Sequence, residues 1–100
     1  MPYILQQKRD VLDPAIDKLV DAFRELDDET GFAGNMNYVI TRLFFALCPA
    51  PNYQRFNDMV GALECCKLEL YRKKVAPYED MKERENGPVR GGEQICLNPS

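Results

Sequence analysis

A helix that carries two apolar stripes cannot be satisfied by a single neighbour. The stretch from residue 53 to about residue 76 reads as such a helix, with Asn52 as its cap and a length of about 35 Å at 1.5 Å per residue. One stripe runs Phe56, Met59, Val60, Leu63, Cys66 and Leu70; a second runs Ala62, Cys65 and Leu68 and on to Arg72, beside Gly61. Glu64 lies between them. A helix apolar over most of its girth must be covered on more than one side, and a chain of 100 residues has few other elements to do the covering. The expectation is a small helical protein that completes its core by self-association.

The remaining segments fit that reading. Residues 1–9 look like an extended arm, apolar at Tyr3, Ile4 and Leu5. Asp13-Pro14 reads as an N-cap followed by proline at the first helical position. From there Ile16, Leu19, Val20, Phe23 and Leu26 keep helical spacing, which predicts an amphipathic helix over about 13–27 and a loop reaching roughly Gly34. A second helix is predicted from Asn35 or Met36 to Cys48. Its middle has only Asn37, Thr41 and Arg42 as polar residues, the pattern of a central helix buried on nearly all sides. Its β-branched and aromatic content makes a strand the rival, and its length and Leu/Ala content favour helix. Pro49-Ala50-Pro51 stops it. Pro77 breaks the direction of the third helix, leaving Arg72, Lys73 and Lys74 in its last turn, where cations complement the helix dipole. A short charged helix from Tyr78 to Asn86 is ended by Gly87-Pro88. The fold class is therefore all-α: an antiparallel three-helix core, a short C-terminal fourth helix, and extended ends. Residues 1–87 are expected to form one domain. Residues 88–100 are expected to form a tail, mobile or docked on a neighbouring subunit through Ile95, Cys96 and Leu97.

Charge narrows the function classes. A net charge of −3 and a pI near 4.9 argue against a general binder of nucleic-acid backbones, which would present a basic surface. No run approaches the roughly 20 apolar residues of a membrane span, and the opening ten residues hold no apolar core of the length expected for a signal peptide. A cytoplasmic protein with no membrane partner is expected. The chain has no histidine, which closes off Ser-His-Asp triads and histidine metal sites. There is no Gly-rich phosphate loop of either common type. Cys48, Cys65, Cys66 and Cys96 contain no CxxC pair, and the ordinary reading is four buried free thiols. Catalysis, a metal and a cofactor are not expected.

Three constellations stand out. Glu64, set among Val60, Leu63, Cys65 and Leu68, would be costly to bury ionised without a partner, and Arg42 on the second helix is the natural one. That pair is either a structural device fixing helix register or subunit orientation, or part of a polar site with Asn37, Tyr38 and Asn57. Tyr71, Arg72, Lys73, Lys74 and Tyr78 combine aromatic faces with cations, the set that stacks a base and holds a phosphate. The alternative for them is a solvated helix end. Glu79, Asp80, Glu83 and Glu85 form a carboxylate-rich helix start, able in principle to hold a divalent cation but more ordinarily serving the dipole.

A set of motifs resembles a known family. Met1-Pro2-Tyr3-Ile4, Arg9-Asp10, Leu12-Asp13-Pro14, Asn37-Tyr38-Val39-Ile40-Thr41-Arg42-Leu43, Gly61 with Leu63-Glu64-Cys65, Lys67-Leu68-Glu69-Leu70-Tyr71-Arg72, Pro77-Tyr78-Glu79-Asp80, Lys82 and Glu85-Asn86-Gly87 are similar to a family of small uncharacterised proteins of bacteriophage, prophage and metagenomic origin. Family chains usually close soon after an Asn-Gly-Asp-Val ending; here Pro88 stands in place of that Asp. The resemblance implies a viral setting and no reaction. The function expected is a non-catalytic homo-oligomer that sequesters a small anionic ligand at subunit interfaces, such as a nucleotide defence signal, through Arg42, Tyr71, Arg72, Lys73 and Tyr78. The alternative is a protein-binding inhibitor of a host factor, or a structural helical assembly.

Overall fold

The computed structural model describes residues 2–26 and 30–92. Those residues form helices and connecting turns with no strand among them: α1 (Gln6–Leu26), α2 (Phe32–Leu47), α3 (Tyr53–Leu70), a π-helical turn (Tyr71–Val75) and α4 (Ala76–Asn86). The all-α class read from the sequence is the observed one. The chain divides into two compact units, residues 1–65 and 66–100, with the boundary inside α3.

Helix starts and stops depart from the sequence expectation at the prolines inside the chain. Asp13-Pro14 does not begin α1; the helix opens at Gln6, and Pro14 lies inside it. Residues 6–9, read as part of an arm, are helical, with the Lys8 and Arg9 amides donating to the Leu5 carbonyl at 3.0 and 3.2 Å. Proline has no N–H to give the carbonyl four residues back, here Asp10. The loss is tolerable because Asp10 and Pro14 are both exposed and water can reach that carbonyl. α2 likewise begins at Phe32, so Gly34 is helical rather than in a loop. The expected end of α1 at Asp27 and the loop through Asp28 and Glu29 lie outside the described residues, as do Ile95, Cys96 and Leu97 of the expected tail.

Punctuation by side-chain capping and glycine was read correctly. Asn52 caps α3, its Oδ1 accepting the Arg55 amide at 2.9 Å. Gly87 ends α4 with φ of 87° and ψ of 159°, a conformation open to glycine alone, and its amide donates to the Glu83 carbonyl at 2.7 Å.

No helix of the described residues is enclosed. None of their side chains is buried, and large apolar groups stand open on every helix: Val11 and Leu26 on α1, Leu43 and Phe45 on α2, Val60 and Leu68 on α3, Tyr78 on α4. The central, nearly all-buried α2 expected from its composition is not found. Met36, Val39, Ile40 and Phe44 are half-buried, while Tyr38 is 63% and Phe45 74% exposed. Within residues 1–65 no helix lays a face along another. An aromatic pair brackets the α1–α2 connection, with the Phe23 and Phe32 rings 6.2 Å apart at 55°.

Candidate functional site

The richest cluster of interacting side chains surrounds the π turn that joins α3 to α4. Pro77 explains why a wide turn forms there. In a regular α-helix its ring would press on the carbonyl of Lys73, four residues back, and leave that carbonyl without a donor. Widening the turn shifts the register, so that the Ala76 amide reaches five residues back to the Tyr71 carbonyl. The chain stays helical past Pro77 instead of ending before it. Arg72, Lys73 and Lys74 therefore do not cap a C-terminus as expected, and Glu79 and Asp80 do not follow a break.

The shifted register brings together residues that an α-helix would keep apart. Tyr71 donates its hydroxyl proton to Glu79 Oε1 at 2.5 Å, eight residues on. This short charge-assisted bond, with the negative field of the same carboxylate, raises the Tyr71 pKa above 10.0; slight burial and Asp80 add to it. Arg72 Nη2 donates to both oxygens of Glu69 at 3.2 Å, and the Glu69 side chain is the more sheltered partner at 26% exposure. Lys82 Nζ sits 5.6 Å from the centre of the Tyr78 ring, a cation–π distance, and also pairs with Glu85 at 3.3 Å.

Lys73 and Lys74 on the π turn, Asp80, Glu83 and Arg84 on α4, and Arg90 beyond it have no such partner among the described residues, and all are exposed. An open groove of about 360 Å³ lies along α4 and the residues after it, lined by Tyr78, Glu79, Lys82, Glu83, Pro88 and Val89 among others.

The residues expected to bind a ligand are thus partly assembled. Tyr71, Arg72, Lys73 and Tyr78 lie on consecutive turns of the second unit, and Arg42 belongs to the first. Arg42 and Glu64, expected as a buried pair, are both exposed; with no side chain of the described residues buried, the desolvation that would have forced them together does not arise within one chain. Tyr38 and Asn57 are exposed, and Asn37 accepts from the Thr41 hydroxyl at 3.1 Å. Cys65 and Cys66 are exposed free thiols, not buried ones, because both stripes of α3 remain uncovered. Cys48 is half-buried and donates to the Ala50 carbonyl at 3.3 Å. Among the described residues no group of three or more Cys, Asp or Glu side chains is placed to hold a metal, and no helix is long and apolar enough to cross a membrane.

The Tyr71–Glu79 bond was missed from sequence. An eight-residue separation falls outside the three- and four-residue spacings at which helical side chains meet. The usable signal was Pro77: a helix that runs through it needs one wide turn just upstream.

The motif resemblance can now be set against the known families. The family described as Domain of unknown function (DUF6899) matches residues 1–89. The chain belongs to it. The match takes in α1 to α4, the π turn and the Gly87 stop. No curated protein matches the chain, and no solved structure does.

Proposed function

We propose that this DUF6899 protein is a non-catalytic homo-oligomer that sequesters a small anionic, nucleotide-like ligand at subunit interfaces. The observation that carries the reading is the uncovered apolar surface. No described side chain is buried, while leucine, valine, phenylalanine and tyrosine side chains on every helix face water. Apolar side chains left open in this number are read here as an association surface. Other copies of the chain supply the cover, and crevices form where they meet.

The ligand class follows from the cations and rings. Tyr71, Arg72, Lys73 and Tyr78 are exposed along consecutive turns, with Lys73 uncommitted among the described residues. Guanidinium and ammonium groups hold phosphate and tyrosine faces stack on bases. Arg42 joins them where subunits meet. The resemblance to phage and prophage proteins supports, as the ligand, a host-cell defence signal such as a cyclic oligonucleotide or an ADP-ribose derivative, met in the host cytoplasm. One observation favours a second reading, a protein-binding inhibitor: the groove beside α4 carries Glu79 and Glu83, which suit a cationic partner better than an anion.

Light scattering on a size-exclusion column tests the first step, with a mass at a multiple of 11.5 kDa expected and a clean monomer at micromolar concentration overturning it. Thermal-shift screening against cyclic and linear nucleotides tests the second. A ligand at 100 times its dissociation constant adds about 2.7 kcal/mol of stability. A flat response across the panel removes sequestration and leaves the protein-binding reading.

A further inference from the structure

Resting on the sequestration reading, we infer that Glu79 selects the base of the ligand, taking guanine in the groove along α4 and rejecting adenine. The inference begins from the unused half of a carboxylate. Tyr71 donates its hydroxyl proton to Glu79 Oε1 at 2.5 Å, while Glu79 Oε2 has no hydrogen-bond partner among the described residues. Oε1 itself keeps a second lone pair after accepting the phenol proton. The Tyr71 hydroxyl is thus committed, and its bond fixes a carboxylate that also lines the groove.

The rest of the lining suits a flat ring with donors on its edge. Tyr78, Glu79, Lys82, Glu83 and Asn86 are spaced as one face of α4, and all line the groove; Asp80 and Arg84, at other phases of the helix, do not. Tyr78 brings an aromatic ring, and Pro88 and Val89 add apolar surface. Lys82 is the cation among the described residues of this lining. Its ammonium is already held by Glu85 at 3.3 Å and lies over the Tyr78 ring. Glu79 and Glu83 are then the carboxylates left to meet a ligand. A volume of about 360 Å³ falls at the small end of the roughly 300–1,000 Å³ of ligand sites.

An ionised carboxylate only accepts hydrogen bonds. Among the common bases guanine alone carries two adjacent donors on its Watson–Crick edge, N1–H and the 2-amino group. It meets a carboxylate with two parallel charge-assisted bonds. Adenine sets the lone pair of its N1 against the same oxygens, and cytosine that of its N3. Uracil offers one N–H between two carbonyls. The carboxylates also repel phosphate, so the groove takes the base end of the ligand. The phosphates are left to the cations of the proposed site on the π turn, Arg72 and Lys73. A guanine-bearing cyclic oligonucleotide is therefore favoured over an ADP-ribose derivative, whose base is adenine.

Isothermal titration calorimetry on the full chain, with cyclic di-GMP, cyclic di-AMP and ADP-ribose as probes, tests the inference. Wild type should bind cyclic di-GMP roughly tenfold or more tighter than cyclic di-AMP. Glu79→Gln, whose amide oxygen still accepts from Tyr71, should lose most of that preference, because its NH₂ opposes the guanine donors. Tyr71→Phe should reduce the preference through the loosened carboxylate. Cyclic di-IMP keeps N1–H and lacks the 2-amino group, so wild type should bind it several-fold more weakly than cyclic di-GMP. Circular dichroism checks helicity; should a variant lose it, the wild-type comparison of the three cyclic dinucleotides decides. Equal binding of guanine and adenine probes, or binding of ADP-ribose alone, overturns guanine selection while sequestration stands. A full preference retained in helical Glu79→Gln overturns Glu79 as the selecting group. No binding of any probe overturns guanine selection and the sequestration reading together.

Discussion

Tyr71 concentrates the chemistry of the π turn in one bond, and its titration gives that bond a signature. The phenol donates to Glu79 in its neutral form, which raises its folded-state pKa above the ordinary value of 10.0. The stabilisation is therefore complete below about pH 10 and is lost as pH climbs through the raised value. Thermal denaturation of wild type and Tyr71→Phe from pH 8 upward should show a stability difference that shrinks above about pH 10. A difference that stays constant would mean that the hydroxyl does not hold the turn. Asn52 and Gly87 were legible in the sequence because each acts on backbone groups a few residues away. Tyr71–Glu79 was not, because it depends on a register that only the folded turn creates.

At the scale of elements, the helices were legible and several of their ends were not. Apolar spacing marked α1, α2 and α3, since the same 3.6-residue period governs sequence and backbone. Proline misled in both directions. Pro14 was read as a first residue, yet Leu5 and Leu12 continue the stripe of Ile16, Leu19 and Phe23 upstream of it, and α1 follows that stripe back to Gln6. Pro77 was read as a break, and the chain absorbed it with one wide turn. The two sites differ in remedy. α1 has no π turn at Pro14, so no backbone donor replaces the missing amide and only water serves the Asp10 carbonyl. Pro14→Ala restores the donor to the Asp10 carbonyl and should raise the stability of α1 by up to about 3 kcal/mol, less the unfolded-state entropy that proline removes. Helical ellipticity at 222 nm and the thermal midpoint should both rise. A fall in either would show that Pro14 is needed where it stands.

At the scale of the molecule, composition carried one message that single elements could not: a second helix with three polar residues in its middle has nowhere to hide in a chain this short. The sequence led to the expectation of burial, and the structure shows that one chain does not supply it, leaving Leu43 51%, Phe45 74% and Leu47 68% exposed on α2. The identity of the covering surface was not legible, because apolar patterning says that a face needs cover and nothing about whose atoms provide it. Under the proposed self-association, Phe45 is the sharpest probe of that cover. Burying a phenylalanine contributes about 1.5–3 kcal/mol, and a two-fold interface counts it twice, so about 3–6 kcal/mol of association rides on this residue. At 1.4 kcal/mol per factor of ten, Phe45→Asp should raise the dissociation constant by roughly 10² to 10⁴, whereas Phe45→Leu, which keeps most of the apolar area, should change it by far less. In a lone chain the same aspartate would sit on an open helix face and alter stability by about 0.5 kcal/mol at most. Sedimentation equilibrium separates the outcomes, and an aspartate variant with wild-type mass and wild-type affinity would place Phe45 in solvent and the subunit contact on another face.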